Sequence, residues 1–211
     1  MANIMAEAAQ ERLSGLNIYY DNRFSRQAVK ILPGEYFASN SATMIVTVLG
    51  SCVAACLRDS KNKVHGMNHF LLPTDYQDDN YKYGAPARYG MHAMELLIND
   101  MVRLGADRRN IQAKIFGGGS VMGQLTHSNV GEKNAEFVID YLRTEHIPIQ
   151  ASDLLGEYPR KVYFIPESGE VRVKKIKRLH NTTIMDREST YQRKLKEQKT
   201  RTPFDLFNAE S

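Results

Sequence analysis

The stretch TVLGSCVAAC, Thr47 to Cys56, holds both cysteines of the chain, and His69 follows the first of them by seventeen residues. A cysteine attacks acyl carbons as its thiolate, and an imidazole within reach can take the thiol proton. Cys52 comes directly after a Gly50-Ser51 step, which lets backbone approach a substrate closely. The amide N–H groups of such a turn can stabilise the oxyanion of a tetrahedral intermediate. Machinery of this kind uses a third polar group to orient the imidazole, and Thr47 is the nearest candidate on the preceding strand. The chemistry on offer is nucleophilic acyl transfer by Cys52, with His69 as acid and base, Thr47 as orienter, and Gly50 and Ser51 at the oxyanion.

Three strand-like runs must position these groups. Ala42 to Gly50 is rich in β-branched residues, and CVAACLR and VHGMNHFLLP follow, separated by the polar turn DSKN. A symmetric loop centred between Ser60 and Lys61 sets opposed residue numbers to sum to 121. Cys52 then lies directly across from His69, with Cβ atoms roughly 4.5 to 5.5 Å apart. The same register pairs Cys56 with His65. A three- or five-residue loop would turn His69 to the other face.

Plainer roles suit the remaining candidates. Cys56 sits in an alanine-leucine context without a glycine step and reads as a packing residue. If both cysteines lie on one strand, their Cα atoms are roughly 13 Å apart, so both are expected as thiols. His65, His92, His127, His146 and His180 are scattered without zinc spacing, so a metal site is not expected. The triple glycine Gly117 to Gly119 lacks the lysine of a nucleotide P-loop and reads as a tight turn letting backbones pack near the site. A serine hydrolase finds no G-x-S-x-G.

A helix is expected from about Tyr89 to Leu104, ended by Gly105, after a surface loop over 75–88. A second helix is signalled by Asn129 with Glu132 at capping-box spacing. A short strand near Ile147 to Ser152 and a hairpin, RKVYFIP with EVRVKKI, complete the pattern. The fold class is mixed α/β (α+β): one domain of largely antiparallel hairpins packed with two main helices in a layered sandwich. Residues 1–30 form an N-terminal extension, a weak helix and an extended lead-in; 31–178 form the domain, and 179–211 a basic, partly disordered tail. From Arg172 to Ser211 there are eleven Lys/Arg against five Asp/Glu, while the whole chain of 211 residues carries only +4. No groove-reading motif accompanies that run, so nucleic acid is not an expected partner. No apolar run approaches the roughly 20 residues of a membrane span, and the N-terminus lacks a secretory pattern, so the cytoplasm is the expected location.

TVLGSCVAACLRD, HGMNHFLLP, RYGMHAMELLINDMVRLGA, AKIFGGGSVM, NVGEKNAEFVIDYLRTEHIPI and GEYPRKVYFIPESGEVRVKKI together resemble, in this order, the CheD family of chemoreceptor glutamine deamidases of bacterial chemotaxis. The likeness spans roughly residues 31 to 178. The family's cysteine falls on Cys52 and its histidine on His69. Its threonine lies six residues before the cysteine, where this chain has Val46, with Thr47 one step closer. The family core has no obvious counterpart to the tail after about Leu179. The resemblance implies hydrolysis of glutamine side-chain amides on methyl-accepting chemotaxis receptors through a thioester, without a cofactor. It also implies docking to receptor signalling helices and, in some bacteria, to the phosphatase CheC. The alternative is a catalytically weak adaptor that binds receptors or CheC and keeps the fold.

Overall fold

Alternation along the central strands sorts side chains between two cores. In the computed structural model, which describes residues 16–73, 85–120, 130–176 and 183–201, ten strands form two five-stranded sheets. The first has the order β1 (Asn17–Asp21), β2 (Arg26–Lys30), β4 (Met44–Leu49), β9 (Arg160–Ile165), β10 (Glu170–Lys175). The second has the order β3 (Tyr36–Ser39), β6 (Val64–Asn68), β5 (Val53–Asp59), β7 (Ile111–Gly117), β8 (Ile149–Leu154). Three helices accompany them: α1 (Ala85–Arg103), α2 (Val130–Thr144) and α3 (Thr183–Arg201). Pairing is antiparallel except for β2 with β4 and β7 with β8. This is the expected mixed α/β sandwich in a single domain.

On β5, Val53, Ala55 and Leu57 turn toward α1 and α2, where they meet Met94, Leu97, Val138 and Leu142. Cys52, Ala54 and Cys56 turn the other way and pack between the sheets with Val29, Ile45, Leu49, Val162 and Phe164. On β4 the same period puts Ile45 and Leu49 in the inter-sheet core, while Met44 and Val46 lie with Ala28 and Tyr163 on the outer face of the first sheet. The layers are therefore α1 with α2, second sheet, first sheet.

Several boundaries differ from the sequence reading for local reasons. Residues 17–30 form the β1–β2 hairpin, which joins the first sheet by burying Ala28 and Val29, so the sheet begins before residue 31. Of the expected loop 75–88, residues 75–84 lie outside the described residues and 85–88 open α1. That helix ends as anticipated: the Gly105 N–H donates to Val102 O and the Ala106 N–H to Met101 O, with Gly105 at φ +103°. The proposed cap Asn129 falls outside the described residues. In the tail, 183–201 is helical.

The β5–β6 hairpin turns one residue later than expected. The Asp59 carboxylate accepts from the backbone N–H of Lys61 and Asn62, from Asn62 Nδ2 and from the Asp107 N–H. Burial pushes the Asp59 pKa up, but these hydrogen bonds outweigh it and hold the carboxyl below its usual range. The Asp59-led turn and Lys63 at φ +57° make a four-residue loop, 60–63, between Asp59 and Val64. Cys56 consequently opposes Met67, and Val53 opposes Phe70. Cys52 is thus not directly across from His69; the register is displaced by two, which makes the pair diagonal neighbours. An even displacement keeps the face, so His69 still points with Cys52 into the space between the sheets.

β7 ends at Gly117, whose φ is +116° and whose added Cβ would stand 2.1 Å from the Cys52 carbonyl oxygen. Gly117→Ala is expected to cost about 1–3 kcal/mol in backbone strain alone, with the steric conflict falling on the Cys52 peptide. A lowered urea midpoint together with altered Cys52 reactivity would show it; an unchanged midpoint would contradict the close approach.

Candidate active site

The chain leaves the first sheet at Leu49 and enters the second at Val53, and the three residues between belong to neither ladder. Their carbonyls are all anchored on one side. Gly119 N donates to Gly50 O and Gly118 N to Cys52 O, each at 2.8 Å, while Asn134 Nδ2 donates to Ser51 O at 2.9 Å. The triple glycine therefore packs backbone against backbone beside the cysteine. With the carbonyls held, the amides of Gly50, Ser51 and Cys52 converge on the opposite side, a concave arrangement that suits an anion.

One carboxylate occupies it. Glu188 of α3 accepts from the backbone N–H groups of Gly50, Ser51 and Cys52 at 3.0, 3.2 and 3.3 Å, and from Ser51 Oγ at 2.7 Å. Glu188 is 3% exposed. The Cys52 thiol is fully buried beside it. Burial first, then the charge and hydrogen bonding of Glu188, push its pKa well above the ordinary thiol value.

His69 is held from the first sheet. Its Nδ1 lies 2.7 Å from Thr47 Oγ1, and that hydroxyl donates to the Ile31 carbonyl at 2.9 Å. Having spent its single proton on Ile31, the hydroxyl accepts from His69, so Nδ1 carries the hydrogen and Nε2 the lone pair. Nε2 is buried without a hydrogen-bond partner among the described residues. Burial lowers the His69 pKa to about 3, with the Ile31 carbonyl opposing only in part. Thiol and imidazole are thus both neutral with α3 in place.

The structure places Thr47 on the His69 imidazole, the amides of Gly50 and Ser51 beside that of Cys52 at one carboxylate, and Cys52 diagonal to His69 across the extended β5–β6 register. Thr47 is reachable because it alternates with Ile45 and Leu49 toward the inter-sheet space, whereas Val46 faces outward. Cys56 stays apart, its thiol against Met67 Sδ at 3.3 Å and raised in pKa by burial. His65 opposes Arg58 rather than Cys56 and meets the Phe164 ring edge-on.

Sequence reasoning missed three groups. Asn134 also accepts from the Leu72 N–H, tying α2 to both the Cys52 loop and the segment after β6. Its signal was a polar residue on a buried stripe with Val130 and Val138. Asn68 accepts from the Ala55 N–H and donates to Ala93 O, which bolts β6 between β5 and α1. Glu188 sits in a charged tail and left no signal. No cluster of His, Cys, Asp and Glu suited to a metal ion occurs among the described residues, and no helix there is long and apolar enough to cross a membrane.

Because the folded His69 has a lowered pKa, the unfolded chain binds more protons between about pH 6.5 and 3. Stability therefore falls as pH drops through that window, by up to about 1.4 kcal/mol per pH unit from this residue. Denaturation of His69→Gln across pH 3 to 7 should show a shallower slope than the unaltered protein. Equal slopes would mean that His69 is not buried neutral.

The chain matches the family model for CheD, chemotactic sensory transduction, over residues 71–175. It is 59% identical over 191 residues to a Shewanella oneidensis protein named probable chemoreceptor glutamine deamidase CheD 1, covering 90% of this chain and 93% of that one. A Dechloromonas aromatica protein of the same name is 54% identical over 90% of this chain and 94% of its own. A Methylobacillus flagellatus relative, named probable chemoreceptor glutamine deamidase CheD, is 50% identical over 204 residues, 96% of this chain and all of that one. So few residues remain outside that last alignment that it must run through the tail helix, which corrects the expectation of a tail without a family counterpart. Similarity of this depth along both chains shows that the protein belongs to the CheD family.

Proposed function

We propose that this protein is a chemoreceptor glutamine deamidase in which Cys52 is the nucleophile, His69 the acid and base, and Thr47 the group that orients the imidazole. The observation that carries the reading is the imidazole itself: its Nδ1 hydrogen is committed to Thr47, and its Nε2 lone pair has no hydrogen-bond partner among the described residues, on the face that the register gives to Cys52 as well. An intact thiol, imidazole and threonine favour the enzyme over an adaptor that binds receptors or CheC and keeps the fold.

In the reaction the Cys52 sulfur bonds to the side-chain carbonyl carbon of a receptor glutamine, and its proton passes to His69 Nε2. The oxyanion meets the amides of Gly50, Ser51 and Cys52, which are preorganised because their carbonyls are already spent on Gly118, Gly119 and Asn134. The C–N bond breaks as His69 returns the proton to the departing nitrogen, giving ammonia and a thioester. Water, deprotonated by the same imidazole, then hydrolyses the thioester to glutamate. Substrate binding also has to bring the thiol pKa down, since a raised thiol yields little thiolate near neutral pH.

Incubation with cytoplasmic receptor fragments, with ammonia release and amide-to-acid mass change as readouts, tests this. Cys52→Ala should abolish turnover. Thr47→Val should lower kcat on the order of 10²-fold with little change in KM, since the imidazole would lose its oriented hydrogen bond. Undiminished turnover in Cys52→Ala, or binding without turnover in the unaltered protein, would sink the proposal.

A further inference from the structure

Glutamate is the product of glutamine hydrolysis, and a helix-borne glutamate already fills the converging amides of this protein. Every hydrogen-bond donor that the described residues offer Glu188 comes from Gly50, Ser51 or Cys52. The helix that carries it is laid on the body by a stripe at helical spacing: Ile184, Glu188, Tyr191, Gln192 and Leu195. Tyr191 fits over Gly34, where an added Cβ would come within 2.5 Å of its ring, and its hydroxyl meets that of Tyr89. Gln192 Nε2 donates to Leu72 O at 3.1 Å, and Leu195 is buried. The opposite face, with Asp186, Arg187, Ser189, Arg193 and Lys194, is exposed.

Seating the helix is not wholly favourable. Lys30 has a pKa lowered by burial and then by the positive charges of Arg187 and Lys161. The helix also leaves a cavity of only about 10 Å³ beside His69, lined by Ile31, Leu32, Val48, Ile184, Arg187 and Glu188 among others. That is room for one water, not for a glutamine side chain.

We propose that α3 lies in the seat of the receptor helix, with Glu188 in the place of the product carboxylate, so that the protein's own tail competes with its substrate. This deepens the deamidase reading and rests on it. The enzyme is latent until a receptor helix presenting glutamine displaces α3, and the surface a receptor must fit is the one the stripe covers, from Gly34 and Leu72 to the amides of Gly50 to Cys52. Displacement removes a carboxylate from the thiol, so docking and activation are one event.

Glu188→Gln in the full-length protein is the decisive variant, because it puts a carboxamide where the carboxylate stands. Cys52 sulfur would bond to the side-chain carbonyl carbon of the introduced glutamine, the C–N bond would break, and the thiol proton would leave with the nitrogen as ammonia. Water would then release Glu188 and the free thiol. Peptide mass spectrometry should find residue 188 converted to glutamate, and the Cys52→Ala/Glu188→Gln double variant should keep its glutamine. Glu188→Ala should be alkylated at Cys52 by iodoacetamide several-fold faster than the unaltered protein and should show a lower KM for receptor fragment. An introduced glutamine that persists while the same protein converts receptor glutamine would overturn the product-mimic assignment. So would alkylation and KM unchanged in Glu188→Ala. Faster alkylation in Glu188→Ala, with receptor glutamine converted by no variant, would keep α3 as the occluding segment and instead defeat the deamidase reading.

Discussion

Everything at the site depends on how the chain crosses from one sheet to the other between Leu49 and Val53. Gly50, Ser51 and Cys52 cannot enter either ladder, so their backbone polar groups need other partners. The carbonyls find Gly119, Asn134 and Gly118, which fixes the ribbon's orientation and leaves three N–H groups pointing the same way. An anion-binding concavity follows from that accounting before any catalytic residue is considered. The crossing also puts Thr47 on the first sheet and sets Cys52 just before β5 and His69 just after β6 of the second, so the site is assembled only when the sheets pack face to face. Loss of sheet packing therefore dismantles the site without touching its residues.

Burial sets the electrostatics of this interface. A thiol and an imidazole enclosed between two sheets are both driven toward their neutral forms, the thiol upward and the imidazole down to about 3. Glu188 adds to the first of these effects. The resting site is thus quiet: tautomer fixed, converging amides occupied, thiol protonated. Enzymes commonly tune such groups to their task through the environment that substrate binding completes. Here the same amides that would steady an oxyanion in the reaction hold a carboxylate at rest.

Much of the arrangement was legible in local patterns. A β-branched run marked β4, a glycine marked the end of α1, and the Gly-Ser-Cys step singled out Cys52 over Cys56. The face of His69 was legible too, since face depends only on the parity of the register, but direct opposition was not. Asp59 moved the turn by drawing its hydrogen bonds from Lys61 and Asn62, a side-chain effect that loop symmetry does not see. That Thr47 rather than Val46 reaches His69 depends on which face of β4 meets the second sheet. Asn134 and Glu188 lie 83 and 137 residues from Ser51, their partner in the loop; Asn134 at least breaks an apolar stripe, whereas a contact of that range leaves no local signature in the charged helix that carries Glu188. The hairpin before residue 31 escaped because two five-residue strands with half-exposed patterns carry little period.

The central claim is that a receptor glutamine is hydrolysed through a covalent bond to Cys52. Rapid acid quench of the full-length protein mixed with a receptor cytoplasmic fragment, followed by mapping of the enzyme, tests it most directly. The account predicts a transient thioester joining the receptor side chain to the Cys52 sulfur, formed as ammonia appears and decaying as glutamate accumulates. Glutamate accumulating from the first turnover with Cys52 unmodified throughout would contradict it.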